Sequence, residues 1–166
     1  MADSQAYNVV EALRSTLAGQ FVTEKTRLDV SLAATPASSE FRLIQSDYDR
    51  ARHQKFPAVF VLPFAQGTTA PIEYFTTQGR AAWMVPVLVT AVGREVKGLE
   101  LTGIKTALEY AQILDACLVN NIRLGRSDTI VQTPESVQVL HFPEAPGGAL
   151  WGCEIRLTLR IDVEYS

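Results

Sequence analysis

Residues 150–165 read LWGCEIRLTLRIDVEY, and their alternation decides the fold. Trp151, Cys153, Ile155, Leu157, Leu159, Ile161, Val163 and Tyr165 share one parity. Glu154, Arg156, Thr158, Arg160, Asp162 and Glu164 share the other. A period of two held over this length is a β-strand with one face on a core and the other facing water or a polar partner. A helix would spread the same side chains around its circumference. So long an apolar edge needs a cover and neighbouring strands, and the rest of the chain is read for both.

The neighbours come from two further runs. Residues 56–63 (FPAVFVLP) are apolar on both parities, with prolines near the ends, where a missing N–H costs little. Residues 80–92 alternate again, Trp83, Val85, Val87, Val89 and Ala91 against Met84, Pro86, Leu88, Thr90 and Val92. Pro86 removes a ladder donor, so this strand stands at an edge there or carries a bulge. Residues 70–78 are expected as the outer arm of a hairpin. Residues 136–142 alternate weakly, and the glycine-rich turn at 143–148 joins them to the final strand as an antiparallel hairpin.

Two helices supply the cover. Asp3 or Ser4 caps the first, which runs to about residue 18, with Tyr7, Val10, Leu13 and Leu17 as its stripe and Gly19 as terminator. The second spans 102–121, with Ile104, Ala107, Leu108, Ala111, Leu114 and Leu118 as its apolar stripe. Residues 21–32 are expected as a short strand or a loop on the core, 41–55 as irregular or a short helix, and 126–135 as a polar connector. The order predicts an α+β fold, a mostly antiparallel sheet of about four strands with two helices packed on one face, built as one domain over 1–166. The 166 residues, 47% hydrophobic and 20% charged, suit that size of core.

Chemistry is sparse. The net charge of −3 and the interleaving of Lys25, Arg50, Arg52 and Lys55 with acids leave no basic stripe for a phosphate backbone. Neither His53 nor His141 has further ligands at metal spacing, and Asp47 and Asp49 read as solvated loop charges before they read as a cation site. Cys117 and Cys153 sit in apolar patterns as small core residues of a reducing compartment. Nucleotide-binding glycine loops and nucleophile elbows are missing from the sequence. The reading is therefore no enzyme, no catalytic residue, no cofactor and no metal. The N-terminus has no secretory pattern and no run reaches the length of a membrane helix, so a cytoplasmic protein is expected. Large side chains stand where a lone protomer has little use for them. Phe60, Phe64, Tyr74, Phe75 and Trp83 are taken as interface candidates, and Arg156 and Arg160 as polar-face candidates for a subunit contact.

Those residues also carry a resemblance. Phe56-Pro57-Ala58-Val59 opens its strand, and Gly148-Ala149-Leu150-Trp151 leads an alternating strand that closes on Thr158, Ile161 and Val163-Glu164-Tyr165. In both places, and in element order, the chain resembles the tail terminator proteins of siphovirus-type, lambda-like phages. It is longer than that pattern at 21–55, 93–101 and 126–135. The resemblance implies a structural virion protein, assembled in the host cytoplasm and placed at the junction of tail and neck. It implies a homo-oligomeric ring, six-fold in that family, that caps the tail tube, ends tube polymerisation and provides the head–tail joining surface. The implied partners are the major tail tube protein and a head–tail connector or stopper protein, with DNA passing through the ring without sequence-specific binding and no membrane contact. The alternatives are a head–tail stopper or other tail structural protein, and a non-viral soluble binding module.

Overall fold

The computed structural model describes residues 4–32, 34–63, 73–77, 79–95 and 102–164, and of residues 47, 48, 73–75 and 77 the backbone alone. Seven strand segments form one sheet: β1 (Phe41–Leu43), β2 (Ala58–Pro63), β3 (Glu73–Thr77), β4 (Arg80–Arg94), β5 (Thr129–Val131), β6 (Ser136–Phe142) and β7 (Leu150–Glu164). Among the described residues three α-helices accompany them, α1 (Gln5–Arg27), α2 (Asp47–Arg52) and α3 (Thr102–Asn120).

The two long alternating strands form the spine. β4 and β7 pair antiparallel from Arg80↔Glu164 to Arg94↔Leu150. β2 and β3 share the outer side of β4, β5 and β6 share the outer side of β7, and β1 closes the far edge beyond β2. Pro86 falls between the two partners of β4: β2 ends at Pro63↔Val87 and β3 begins at Glu73↔Met84. On that side β4 has no described partner at Pro86, so the missing N–H breaks no ladder bond there.

The apolar parity of β7 faces α1 and α3. Cys153, Ile155, Leu157, Leu159 and Ile161 are fully buried there with Val59, Val61, Val87 and Val89. Each of the larger side chains contributes about 1.5–3 kcal/mol by leaving water. Helix α1 adds Val10, Leu13, Leu17 and Phe21, and α3 adds Tyr110, Ile113, Leu114 and Leu118. The rings of Phe21 and Tyr110 lie 6.3 Å apart where the two helices meet.

Several expectations are corrected. The class is α+β, but the sheet has seven segments instead of about four, it is mixed because β1 runs parallel to β2, and a third helix is present. Helix α1 does not stop at Gly19. That glycine is exposed, with nothing within 4 Å of the position a Cβ would take, and Phe21 and Glu24 carry the buried stripe two turns further. The helix ends where Asp29 turns to φ 53°. The 41–55 stretch holds both β1 and α2. Ser46 accepts from the Asp49 N–H while the Asp49 carboxylate accepts from the Gln45 N–H, a reciprocal cap that starts α2. The 126–135 connector contains β5, and Thr129 within it is fully buried.

The sheet face away from α1 and α3 is not bare either. Ala58, Phe60, Val92 and Leu150 form a second, smaller core, with Ile44, Phe56, Phe142 and Ala145 packed against it. Among the described residues no helix is long and apolar enough to cross a membrane.

Candidate functional site

Phe60, Trp83, Arg156 and Arg160 are the interface candidates whose side chains are described. Phe60 is 1% exposed and belongs to the second core, with the His53 ring 5.2 Å away. It serves this protomer's own packing and drops out as a surface residue. Trp83 is half-buried on the α1–α3 face, opposite Ile161 and packed against the main core. Arg156 and Arg160 are exposed on the opposite face, and Arg160 pairs with Asp162 at 3.2 Å. Phe64 lies outside the described residues. Tyr74 and Phe75 are in β3, paired with Trp83 and Ala82, and their side chains are not described. Of the described side chains, Trp83 therefore lies on one face of the sheet and Arg156 and Arg160 on the other.

The histidines, cysteines and Asp49 lie in separate places. His53 Nε2 lies 2.7 Å from Glu40 Oε2, with both side chains largely buried and the His53 ring edge-on to Phe56 and Phe60. His141 stacks on Trp151 at 3.9 Å between ring centroids. Both cysteine thiols are free, and burial pushes Cys117 and Cys153 up to about 12, which leaves them protonated and inert at neutral pH. Asp49 is occupied as a cap, and no group of three His, Cys, Asp or Glu among the described residues is placed to hold a metal.

The surface that stands out is one the strand patterns did not mark. Ile104 and Leu108 follow each other by one turn along α3 and are 40% and 54% exposed. Tyr110 and Asn120 mark the side of α3 that meets α1, through the Phe21 ring and through the Asn120–Glu24 hydrogen bond of 3.0 Å. Helical spacing then puts Ile104 and Leu108 on the opposite flank, toward β6. On β6, Val137 and Val139 pair with Ile155 and Cys153, so they project to the same side of the sheet as α3. They too are about half exposed, at 52% and 46%.

β6 is also an edge. Its sequence SVQVLHF contains no Lys, Arg, Asp, Glu or Pro, the residues that ordinarily block edge-to-edge pairing. Exposed aliphatic side chains beside an unguarded edge mark an interaction surface.

At the other end of the sheet lies its counterpart. A cavity of about 920 Å³ wraps the β1 edge between α1, α2 and β2, and Ala6, Tyr7, Val10, Leu43, Ile44 and Pro63 supply its apolar lining. The two surfaces sit at opposite ends of the strand order β1-β2-β4-β7-β5. One is aliphatic; the other is a cavity whose apolar lining is interrupted by Arg42, Gln45, Asp49, Arg52 and His53. Sequence reasoning placed Ile104 and Leu108 in the core stripe; the breadth of the apolar arc on α3 was the signal that it serves two surfaces.

No protein-family model matches the sequence, and no curated protein matches it.

Proposed function

We propose that this protein is the subunit of a closed homo-oligomeric ring that works as a phage tail terminator, capping the tail tube and offering the surface to which the head connector joins. The observation that carries the ring is the pair of unlike apolar surfaces at opposite edges of one sheet. A protomer that presents an aliphatic patch at one edge and a cavity at the other has unlike surfaces with which to contact its neighbours head to tail. Such heterologous contacts close into a ring when the rotation fits. The terminator role rests on the sequence resemblance at 56–59 and 148–165.

The physical task suits such a ring. A tube end presents the same unsatisfied surface after every added layer, so growth stops only when a different protein covers it. The cap matches the tube on one side and differs on the other. The test is a lysate of phage lacking the protein, with tail lengths scored by electron microscopy. Over-long tails beside filled, unjoined heads are the expected result. Tails of normal length beside unjoined heads would transfer the reading to a stopper, and normal infectious particles would end both.

A further inference from the structure

The exposed aliphatic residues of α3 do not stop at Leu108. Val119, about three turns further on, is 63% exposed, and Ile122, just past the helix end, is 50% exposed. At about 100° per residue, Ile104, Leu108, Ala111, Asp115 and Val119 fall within an arc of roughly 80°. The arc is turned away from α1, because Asn120, which meets α1 through Glu24, lies about 100° beyond Val119. One charge interrupts it. Asp115 is exposed and has no ion-pair partner among the described residues.

Helix α1 repeats the spacing. Tyr7, Glu11, Arg14, Ala18, Val22 and Lys25 stand at the same intervals as residues 104, 108, 111, 115, 119 and 122. They too share an arc of roughly 80°. Tyr7 is 47% exposed and Val22 57%. Tyr7 lines the cavity at the β1 edge and Arg14 Nη1 donates to the Phe41 carbonyl at 3.2 Å, so this arc is on the β1 side of the helix, whereas Glu24 meets α3. Its uncompensated charge has the opposite sign. Arg14 is paired with Glu11, which leaves Lys25, whose ammonium donates to a neutral acceptor, the Thr35 hydroxyl, at 2.9 Å. An ammonium has three donors, so that bond leaves two for a further partner.

Rows of side chains spaced three and four residues apart are the seams along which helices pack. Each helix offers such a seam, one with an extra carboxylate and one with an extra ammonium. Packing α3 on a second α3, or α1 on a second α1, would bring like charges to one contact. Packing α3 on α1 of another copy brings Asp115 and Lys25 together, so the charges select that occupant.

We propose that α3 of one protomer packs along α1 of the next, with Leu108 and Val119 covered by the side of α1 that carries Val22, and Asp115 paired with Lys25. This rests on the ring reading and adds to it the element of the neighbour that covers α3.

The test is sedimentation velocity on a dilution series of the full chain, with thermal melts to confirm folding. Asp115→Lys and Lys25→Glu should each raise the concentration of half-assembly by about tenfold, as for reversal within a close charge pair. The two together should restore it to within about threefold of the unaltered protein. Val22→Glu places a carboxylate one turn before Lys25 at a position 57% exposed. It should weaken assembly and be rescued by Asp115→Lys, which keeps the test valid if Lys25→Glu fails to fold. Single variants that assemble as before, or that the double swap does not restore, overturn this contact and leave the ring reading standing. An unaltered chain that stays a monomer in solution overturns this contact, and a monomer on isolated tails as well removes the ring reading with it.

Discussion

Replacing Leu108 and Val139 together by aspartate should abolish assembly while leaving the protomer folded. Ile104, Leu108, Val137 and Val139 keep 40, 54, 52 and 46% of their surface in water. Full burial of such a side chain is worth about 1.5–3 kcal/mol, so roughly half of that is still available at each, or about 3–6 kcal/mol for the four at one contact. The double substitution removes about half of this gain. It also places two carboxylates where a neighbour would exclude water, at a cost of several kcal/mol more unless they take up protons. The contact then loses more than it had to give. In the free protomer both positions are already half in water, so the fold should lose only about 0.5–1 kcal/mol. Sedimentation velocity on the purified chain, paired with a thermal melt, separates the two effects. The reasoning is refuted if the variant keeps the ring mass of the unaltered protein. It is equally refuted if the unaltered protein is a monomer both free and on isolated tails.

Three further outcomes test the fold that presents these surfaces. Glu24 is 1% exposed in α1, bonded to Asn120 Nδ2 at 3.0 Å, with Arg27 Nη2 at 3.0 Å but not aligned for a hydrogen bond. Glu24→Met should be neutral within about 1 kcal/mol, because a well-packed apolar replacement sheds the carboxylate's desolvation cost, whereas Glu24→Ala should lose about 2–3 kcal/mol to the space left behind; equal melts for the two would contradict this. Gly103→Ala sets an ordinary helix gain of about 1 kcal/mol against a clash, since a Cβ there would fall 2.2 Å from Trp151 Nε1. The clash should win by about 1–2 kcal/mol and shift the Trp151 emission, and a raised melting temperature would show that the helix does not rest on the indole. Asp128 is held well below the usual carboxylate range, first by the Arg126 guanidinium and then by Gln5 and Thr129, against the opposing effect of burial. A depressed folded-state pKa stabilises above the unfolded value of about 3.9 and loses that contribution as pH falls through the folded value. Urea titrations should therefore find Asp128→Asn costly at pH 7 and progressively less so below about pH 4; a pH-independent cost would remove the carboxylate from the account.

Legibility in the sequence followed length and periodicity. β7 was readable because fifteen residues of apolar–polar alternation leave no other regular structure open, and β4 because its long apolar run is rich in valine. β1 and β5 have three residues each, too few for any period, and the parallel pairing of Phe41–Leu43 with β2 is a non-local choice. Their presence made the sheet larger and mixed. The reciprocal cap at Ser46 and Asp49 was a readable start for α2, masked by the charges that follow it. Gly19 misled because terminators were weighed by residue type alone. A glycine facing water costs a helix only about 1 kcal/mol, which the burial of Phe21 beyond it offsets.

The surfaces were harder to read for a reason intrinsic to apolar patterning. A strand apolar on both parities says that both faces are covered, but not by which chain. For Phe60 the cover is local: His53, Phe56 and Ile44 close over it, so the parity that suggested a neighbour is spent inside the protomer. For α3 the ambiguity resolves the other way. Ala107, Leu114 and Leu118 face the sheet, whereas Ile104 and Leu108 extend the same stripe past what β7 can cover. β6 repeats the pattern, its valines projecting toward the helix side yet remaining half in water. An apolar arc wider than its own core can absorb is the feature that separates an assembling protomer from a solitary one. Here Ile104, Leu108, Val137 and Val139 lie beside an uncharged edge strand, while the cavity beyond β1 lies at the other end of the sheet. Two copies related by a two-fold axis would bring like surfaces together and leave both cavities empty. On the proposed reading, head-to-tail contacts between the unlike surfaces use both of them in every copy, and they close into a ring where the rotation fits.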